Sequence, residues 1–496
     1  DQKNWITEPQ LEYKTRFGRL KTEALLGSTW QQNSDRLYFV TASNYSSDIQ
    51  LRSISAAANI STTNNFSNYK YNSVFGRVKL DLSDRYLLSI SARRDGSSRF
   101  GPQKQFANFG AIGAGWIFSE EAPVKKYLKF LSFGKLRASF GTAGNDNIGN
   151  YQFLDTWTNT TLTLQGGVGL VPSRLFNPDY SWELNKKLEG ALDLGFLNDH
   201  LIFSAAYFFN RCGNQLVPYY LPVQTGFSSV NQNLDAIIEN KGFEFTISSK
   251  ASLLKNLHWN SALNLTVHRN KLVAFPGLEG SSYSTQYVLG EPLSIRRLYH
   301  FTGVDPVTGI YGFEDIDKDG NLTIRDRVIS GNSEPRFYGG LENSFSWKGL
   351  SFSILLEFRK QSGRNYLSQL SSVPGYDYRN QPAFVLSRWR NPGDKTSIEK
   401  FTQDVSSTAF NNAMSYLADS DAIYSDASFI RGKNISLSYS LPVSVIKKVK
   451  AERLSLYMNA QNLFTITNYK GSDPENQNLY ALPPLKTIAA GIQLNF

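Results

Sequence analysis

The chain has 496 residues, with 52 Lys and Arg against 42 Asp and Glu, a formal charge of +10 and a pI near 9.3. The cations are spread among the acids and form no cluster, which argues against a nucleic-acid surface and for a solvated or polar-lined one. A lone cysteine, Cys212, rules out an internal disulfide. With no run of about 18 apolar residues, no membrane-spanning helix is expected.

The N-terminus, Asp1-Gln2-Lys3-Asn4-Trp5, lacks the charged and apolar regions of a signal peptide. Either a signal has been removed or the chain begins inside a larger protein. Two strands, 8–17 and 20–32, flank a turn near Gly18. A polar stretch near 40–70 follows, and then the period-two pattern is plain. Val74, Val78, Leu80 and Leu82 alternate with Arg77, Lys79 and Asp81. Ser83-Asp84 breaks the run, and Tyr86, Leu88, Ile90 and Ala92 resume it. This is a hairpin with one apolar and one polar face. The unit recurs around Asn198-Asp199, Lys255-Asn256 and Lys348-Gly349.

About fifteen strands are expected, at 8–17, 20–32, 71–83, 85–95, 105–119, 132–142, 182–197, 200–211, 238–252, 256–269, 335–347, 350–360, 427–441, 452–464 and 485–496. Long polar connections lie near 40–70, 143–180, 213–236, 270–333, 361–426 and 465–484. Structureless loops of that length are uncommon in compact soluble domains. Alternation of tight turns with long loops is the habit of transmembrane barrels, whose apolar residues face lipid and polar residues face an aqueous lumen. A soluble sandwich also alternates, with its apolar face inward. Strand length, the absence of a fixed repeat, and aromatics at strand ends (Trp116, Phe118, Trp182, Trp347 and Tyr469) favour the membrane. The fold class is therefore all-β, a transmembrane antiparallel β-barrel. The last strand, Ile488, Ala490, Ile492, Leu494 and Phe496, ends on an aromatic. An odd strand count implies that part of the barrel lies outside this chain, because a single-chain bacterial barrel needs an even number.

Several segments resemble the SusC/RagA family of TonB-dependent outer-membrane transporters. They are Arg93-Arg94-Asp95-Gly96-Ser97-Ser98-Arg99-Phe100-Gly101, Gly115-Trp116, Ser119-Glu120-Glu121, Lys135-Leu136-Arg137-Ala138-Ser139-Phe140-Gly141 and Gly144-Asn145. Later matches are Gly303-Val304-Asp305 with Thr308-Gly309, Gly339-Gly340-Leu341-Glu342-Asn343, Ala460-Gln461-Asn462-Leu463-Phe464 and the terminal strand. The resemblance implies a 22-stranded barrel filled by an N-terminal plug, in a Gram-negative, Bacteroidota-like outer membrane. It implies a SusD-like lipoprotein lid, energy from TonB–ExbB–ExbD, and import of oligosaccharides or oligopeptides. The sequence departs from the family in showing no plug and no TonB box, so the expectation is the C-terminal barrel portion, with the missing strands and plug supplied elsewhere. Two other readings are a passive porin-like or structural barrel subunit, and a secreted soluble carbohydrate-binding β-protein.

The sharpest local motif lies in the long loop 270–334, expected to be extracellular: Asp315-Ile316-Asp317-Lys318-Asp319-Gly320-Asn321-Leu322-Thr323, with Asp326 twelfth. It resembles an EF-hand calcium loop, in which hard oxygens converge on the cation and a glycine at position 6 makes the sharp turn. Asp315, Asp317, Asp319, Asn321 (through its carbonyl) and Asp326 are the expected Ca²⁺ ligands, in a structural role. Asp at position 12 in place of Glu, and the lack of flanking helices, set it apart from a full EF-hand. The loop aromatics Trp157, Tyr180, Tyr219, Tyr220, Tyr376 and Tyr378 suit sugar stacking, but loop packing is the favoured reading. Arg77, Lys79 and Arg93 are expected to face the lumen. Enzyme motifs are absent: none of His200, His258, His268 and His300 forms a metalloprotease pair, Gly166-Gly167-Val168-Gly169 lacks a strand–turn–helix frame, and Cys212 is read as an isolated thiol. No enzyme activity, nucleic-acid partner or catalytic cofactor is expected.

Overall fold

The computed structural model describes residues 1–495 apart from 165–166, 371–372, 377, 379, 447–451 and 479–480. Phe496 and Gly166 thus lie outside the described residues.

One antiparallel sheet of seventeen strand segments dominates. Two pairs of segments are halves of one strand: Gln2–Thr7 and Gln10–Phe17 both pair with the next strand, as Arg453–Gln461 and Thr465–Thr467 both pair with the preceding one. Fifteen strands result. They are β1 (Gln2–Thr7 and Gln10–Phe17), β2 (Leu20–Ser43), β3 (Asn59–Leu82), β4 (Tyr86–Ser97), β5 (Phe106–Trp116), β6 (Leu131–Asn145), β7 (Glu183–Phe196) and β8 (Leu201–Gly213). The series continues with β9 (Ile237–Leu254), β10 (Leu257–Ala274), β11 (Phe337–Trp347), β12 (Leu350–Lys360), β13 (Phe429–Ser440), β14 (Arg453–Gln461 and Thr465–Thr467) and β15 (Thr487–Asn495). Each pairs only with its sequence neighbours, an up-and-down meander, and among the described residues no pairing joins β1 to β15.

The tight turns explain the register. Ser83 and Asp84 both have positive φ (61° and 55°). They open the three-residue loop Ser83–Arg85, in which the Arg85 N–H donates to the Leu82 carbonyl at 3.2 Å, and their left-handed backbone matches the twist of the flanking strands. Lys348 and Gly349 (45° and 88°) form a two-residue hairpin turn between β11 and β12, where Trp347 faces Leu350. With the turn fixed, Leu82 faces Tyr86, Leu80 faces Leu88 and Val78 faces Ile90. A slip of one residue would send every one of these side chains to the other face.

The apolar face is not covered by protein. Val78, Tyr86 and Ile90 are 41%, 48% and 47% exposed, and Leu136, Phe140, Phe243, Trp347, Leu456 and Ile492 share this exposure. A sandwich would bury these positions between two sheets. The buried apolar clusters lie at the long-loop end instead. One gathers Phe100, Phe109, Phe153, Tyr180 and Trp182, a second Leu272, Phe275, Leu278 and Tyr283, a third Tyr311, Leu367, Ile398, Leu417 and Ile423.

Four sequence expectations need correction. The loop expected over 40–70 shrinks to 44–58, because β2 and β3 stay paired from Leu20↔Leu82 to Ser43↔Asn59. In the outer half a polar run, Gln31-Gln32-Asn33-Ser34 facing Tyr71, Lys70, Tyr69 and Asn68, is followed by a continuous apolar run, Leu37-Tyr38-Phe39-Val40, so no two-residue period marks it as strand. The expected strand 105–119 stops at Trp116 and gives way to a 3₁₀ turn, Phe118–Glu120, and a short helix α1, Ala122–Tyr127, which has proline in its first turn. The other long connections carry hairpins of their own, among them Gln215–Tyr220 with Ser229–Leu234 and Ile295–Tyr299 with Arg327–Asn332. Finally, Trp116 and Trp347 sit exposed at strand ends as a girdle requires, but Trp182 (8%) and Tyr469 (9%) are buried in the loop region. Trp182 packs on Phe100 and Phe109, and its indole N–H donates to the Gln105 carbonyl at 2.9 Å.

Candidate functional site: the interior and its loop cap

The polar faces of β1–β7 form the concave side of the sheet. By register, one row crosses seven strands as Lys14, Glu23, Lys79, Ser89, Gly113, Ser139 and Glu189. The next runs Arg16, Lys21, Asp81, Leu87, Gly115, Arg137 and Ala191. Together, Ala191 apart, they line a concavity of about 900 Å³. Arg77 and Lys79 each donate to Glu23 Oε1 at 2.9 Å. Arg137 is held between Glu189 and Asp193, the latter at 3.2 Å. All these groups keep 24–46% of their side chains exposed. Such pairs contribute at most about 1 kcal/mol each; they orient the lumen wall more than they stabilise it. Arg77, Lys79 and Arg93 thus lie on the inner face as expected.

The nine-residue motif starting at Arg93 knits together the neighbouring segments at the long-loop end of β3–β7. Arg93 Nε donates to Asp95 at 2.8 Å, and its terminal nitrogen donates to the Tyr71 hydroxyl at 2.7 Å. Arg99 lies over the Tyr69 ring at 4.1 Å and donates to Asn150 Oδ1 at 3.0 Å and the Asp146 carbonyl at 2.8 Å. Phe100 is fully buried, and the Gly101 N–H donates to the Tyr180 carbonyl at 3.1 Å. A β-carbon on Gly101 would run into the Pro178 backbone carbonyl, so only glycine fits this crossing. Of the loop aromatics, Tyr180 is buried in this packing, while Trp157, Tyr220 and Tyr378 stand exposed.

The acidic loop has the shape its sequence implies in part. Carboxylate oxygens of Asp315, Asp317 and Asp326 come within 4.8 Å of one another. Asp319 turns away to accept the Asn321 N–H at 2.7 Å. Asp326 is fully buried, accepting the N–H groups of Ile316 (2.8 Å) and Thr323 (2.7 Å). Those backbone donors, led by Thr323, hold its carboxyl below the ordinary range. Asp317 is pushed the other way, first by desolvation and then by the neighbouring carboxylates. Lys318 and Gly320 N–H groups donate to Asp315 at 2.7 and 2.9 Å, and Gly320 has φ of +84°.

Two networks went unnoticed in the sequence. Glu399, fully buried in the third loop cluster, accepts only the Tyr311 N–H at 3.5 Å; its Oε1 and the buried Tyr311 hydroxyl have no partner among the described residues. Burial raises its carboxyl to about 8. Arg431, 1% exposed on the inner face of β13, holds Asp473 and Glu475 (2.5 Å) of the last loop and donates to Thr465 at 3.1 Å. No spacing signal marks these residues; long-range pairs between a strand and a loop leave no period.

A meander with bare apolar sides outward and a charged concave interior is the wall of a transmembrane β-barrel. The family model described as TonB dependent receptor-like, beta-barrel, matches residues 1–463, and the chain belongs to that family, whose members are multi-pass outer-membrane proteins. TonB-dependent receptor P3 of Formosa agariphila is 27% identical over 538 residues, covering 99% of this chain and 52% of its own length. TonB-dependent receptor SusC of Bacteroides thetaiotaomicron is 27% identical over 471 residues, covering 86% of this chain and 43% of its own. The RagAB peptide transporter structure shares the fold, with TM-score 0.85 and 23% identity over 100% of this chain and 55% of that one. These agree with the SusC/RagA motifs. The chain spans about half the length of the curated relatives it matches.

Proposed function

We propose that the chain is the C-terminal barrel part of an energy-dependent importer of oligosaccharides or oligopeptides. It would work under a SusD-like lipoprotein lid and be driven through TonB–ExbB–ExbD by way of a plug supplied outside this sequence. The observation that carries this reading is the charged inner face of β1–β7, which lines a concavity of about 900 Å³, room for a small oligomeric solute. The shared fold with the RagAB peptide transporter supports an oligopeptide cargo, and the TonB dependence named for the relatives supports the energy source. A passive pore is the rival. Uptake of a labelled oligopeptide or oligosaccharide by cells, with and without proton motive force, separates them: loss of uptake on collapsing the force supports import, and undiminished uptake supports the pore. The soluble carbohydrate-binder does not fit the bare apolar exterior.

We further propose that Asp315, Asp317 and Asp326 hold Ca²⁺, with Asp319 and the Asn321 carbonyl completing the set on binding. The cation would stiffen the loop, and hard carboxylate oxygens suit it. Terbium luminescence displaced by Ca²⁺ and lost in Asp315→Asn is the expected result; an unchanged signal in that variant would exclude the site.

A further inference from the structure

The outward face of the barrel carries a second, unassigned feature on β7–β10. On this face β8 presents Phe203, Ala205, Tyr207 and Phe209, and β9 presents Phe243, Phe245 and Ile247. Tyr207 and Phe243 pack at 5.0 Å between ring centres. From Leu201, at the short turn, to Phe209 the strand makes eight steps, close to the roughly 9–11 residues a tilted strand needs to cross the bilayer. Phe209 therefore marks the apolar limit at the long-loop end, which is the extracellular end in such barrels.

Directly beyond that limit the outward residues turn cationic. One register row reads Thr142, Lys186, Arg211, Glu239 and Lys271; the row below reads Phe140, Leu188, Phe209, Lys241 and Arg269. Five cations from four adjacent strands thus face outward with one carboxylate among them. Strands lie about 4.8 Å apart and alternate residues about 7 Å apart, so the patch is roughly 15 Å wide. Glu239 is the buried centre, accepting from Arg211 at 2.9 Å and Lys241 at 2.9 Å and holding the two cations side by side. Lys186, Arg269 and Lys271 are exposed and have no ion-pair partner among the described residues. Arg211 also lies 5.1 Å over the Phe209 ring, joining the charged row to the aromatic one. Two other cations of the outer face are engaged locally: Arg94 lies over Phe106, and Lys360 is paired with Asp426 at 2.7 Å.

We propose that this patch binds the phosphate groups of an anionic lipid headgroup in the outer leaflet. Cations that sit one step beyond a lipid-facing aromatic band meet an amphipathic ligand whose acyl chains lie on Tyr207, Phe209 and Phe243 while its phosphates lie against Lys186, Arg211, Lys241, Arg269 and Lys271. Each basic group near a charged lipid surface strengthens binding, and a guanidinium can grip a phosphate with two donors. A free anion has no use for the apolar half of this surface, which is why the site is assigned to a lipid.

The test uses the protein purified in detergent from its own outer membrane. It compares binding of bisphosphorylated lipid A, the same lipid stripped of both phosphates, and inorganic phosphate. The expected result is preference for the phosphorylated lipid by at least about tenfold, and loss of most of that preference in K241Q/R269Q/K271Q. Folding of the variant is read from the heat-dependent gel mobility of barrels. Equal binding of the two lipids by the native protein overturns the proposal without recourse to any variant, as does full competition by inorganic phosphate at concentrations equal to the lipid. Should the triple variant fail to fold, Lys186→Gln is expected to weaken phosphorylated-lipid binding alone, and an unchanged value there also overturns it.

Discussion

Replacing Glu399 by Gln should abolish a pH dependence of the loop region that the native residue imposes. Glu399 is fully buried among Tyr311, Leu367 and Ile398, and burial raises its carboxyl from 4.5 to about 8. The folded loop therefore keeps a proton that the opened loop releases. The sign follows from linkage: with the folded value raised, stability is greatest below the ordinary carboxyl range and falls as pH rises toward 8. The slope is about 1.36 kcal/mol per pH unit while only the folded form is protonated. His300 acts in the same direction, because its hydrogen bond to Asp421 (2.7 Å) raises it above 6.5, but its effect begins only above that pH. The window from about pH 5 to 6.5 isolates Glu399, and there the loop should lose on the order of 2 kcal/mol. Hydrogen exchange of the amides of Phe301–Val304 and Tyr311–Phe313, corrected for intrinsic rates, measures the opening free energy. Glu399→Gln should leave it flat across the window. An equal slope in the variant, or a native loop that tightens as pH rises, would refute the reasoning.

Arg431→Ala strips the buried Asp473 of its cation, a change that costs about 3–5 kcal/mol locally; limited proteolysis should find new cleavage in the segment after Thr467. Gly101→Ala forces the Pro178 backbone aside and should destabilise the Phe100 cluster by about 1–3 kcal/mol, read as faster exchange of the amides around Tyr180. Glu23→Gln breaks two half-exposed ion pairs on the inner face and should move the thermal midpoint little, since each is worth at most about 1 kcal/mol.

The barrel strands were legible because one side of each meets a uniformly apolar medium. Val78, Leu80 and Leu82 against Arg77, Lys79 and Asp81 reveal both the strand and its orientation. Where water bathes both sides, as in the outer halves of β2 and β3, the contrast disappears and a ladder reads as a loop. Trp182 shows the converse failure: a tryptophan at a strand end suits a girdle, but the burial of this one depends on Phe100, more than eighty residues away in sequence. The acidic loop was readable in Asp315, Asp317 and Asp326, whose spacing is local, while the partners of Glu399 and Arg431 come from remote segments.

Spin labels placed singly along β4, in a Cys212→Ser background, test the transmembrane assignment most directly. Positions 86, 88 and 90 should collide with dissolved oxygen and be shielded from a water-soluble nickel complex, while 87, 89 and 91 show the reverse, following the register with β3 and β5. Uniform water access along the strand, or shielding from both reagents at 86, 88 and 90, would mean that these side chains do not touch lipid.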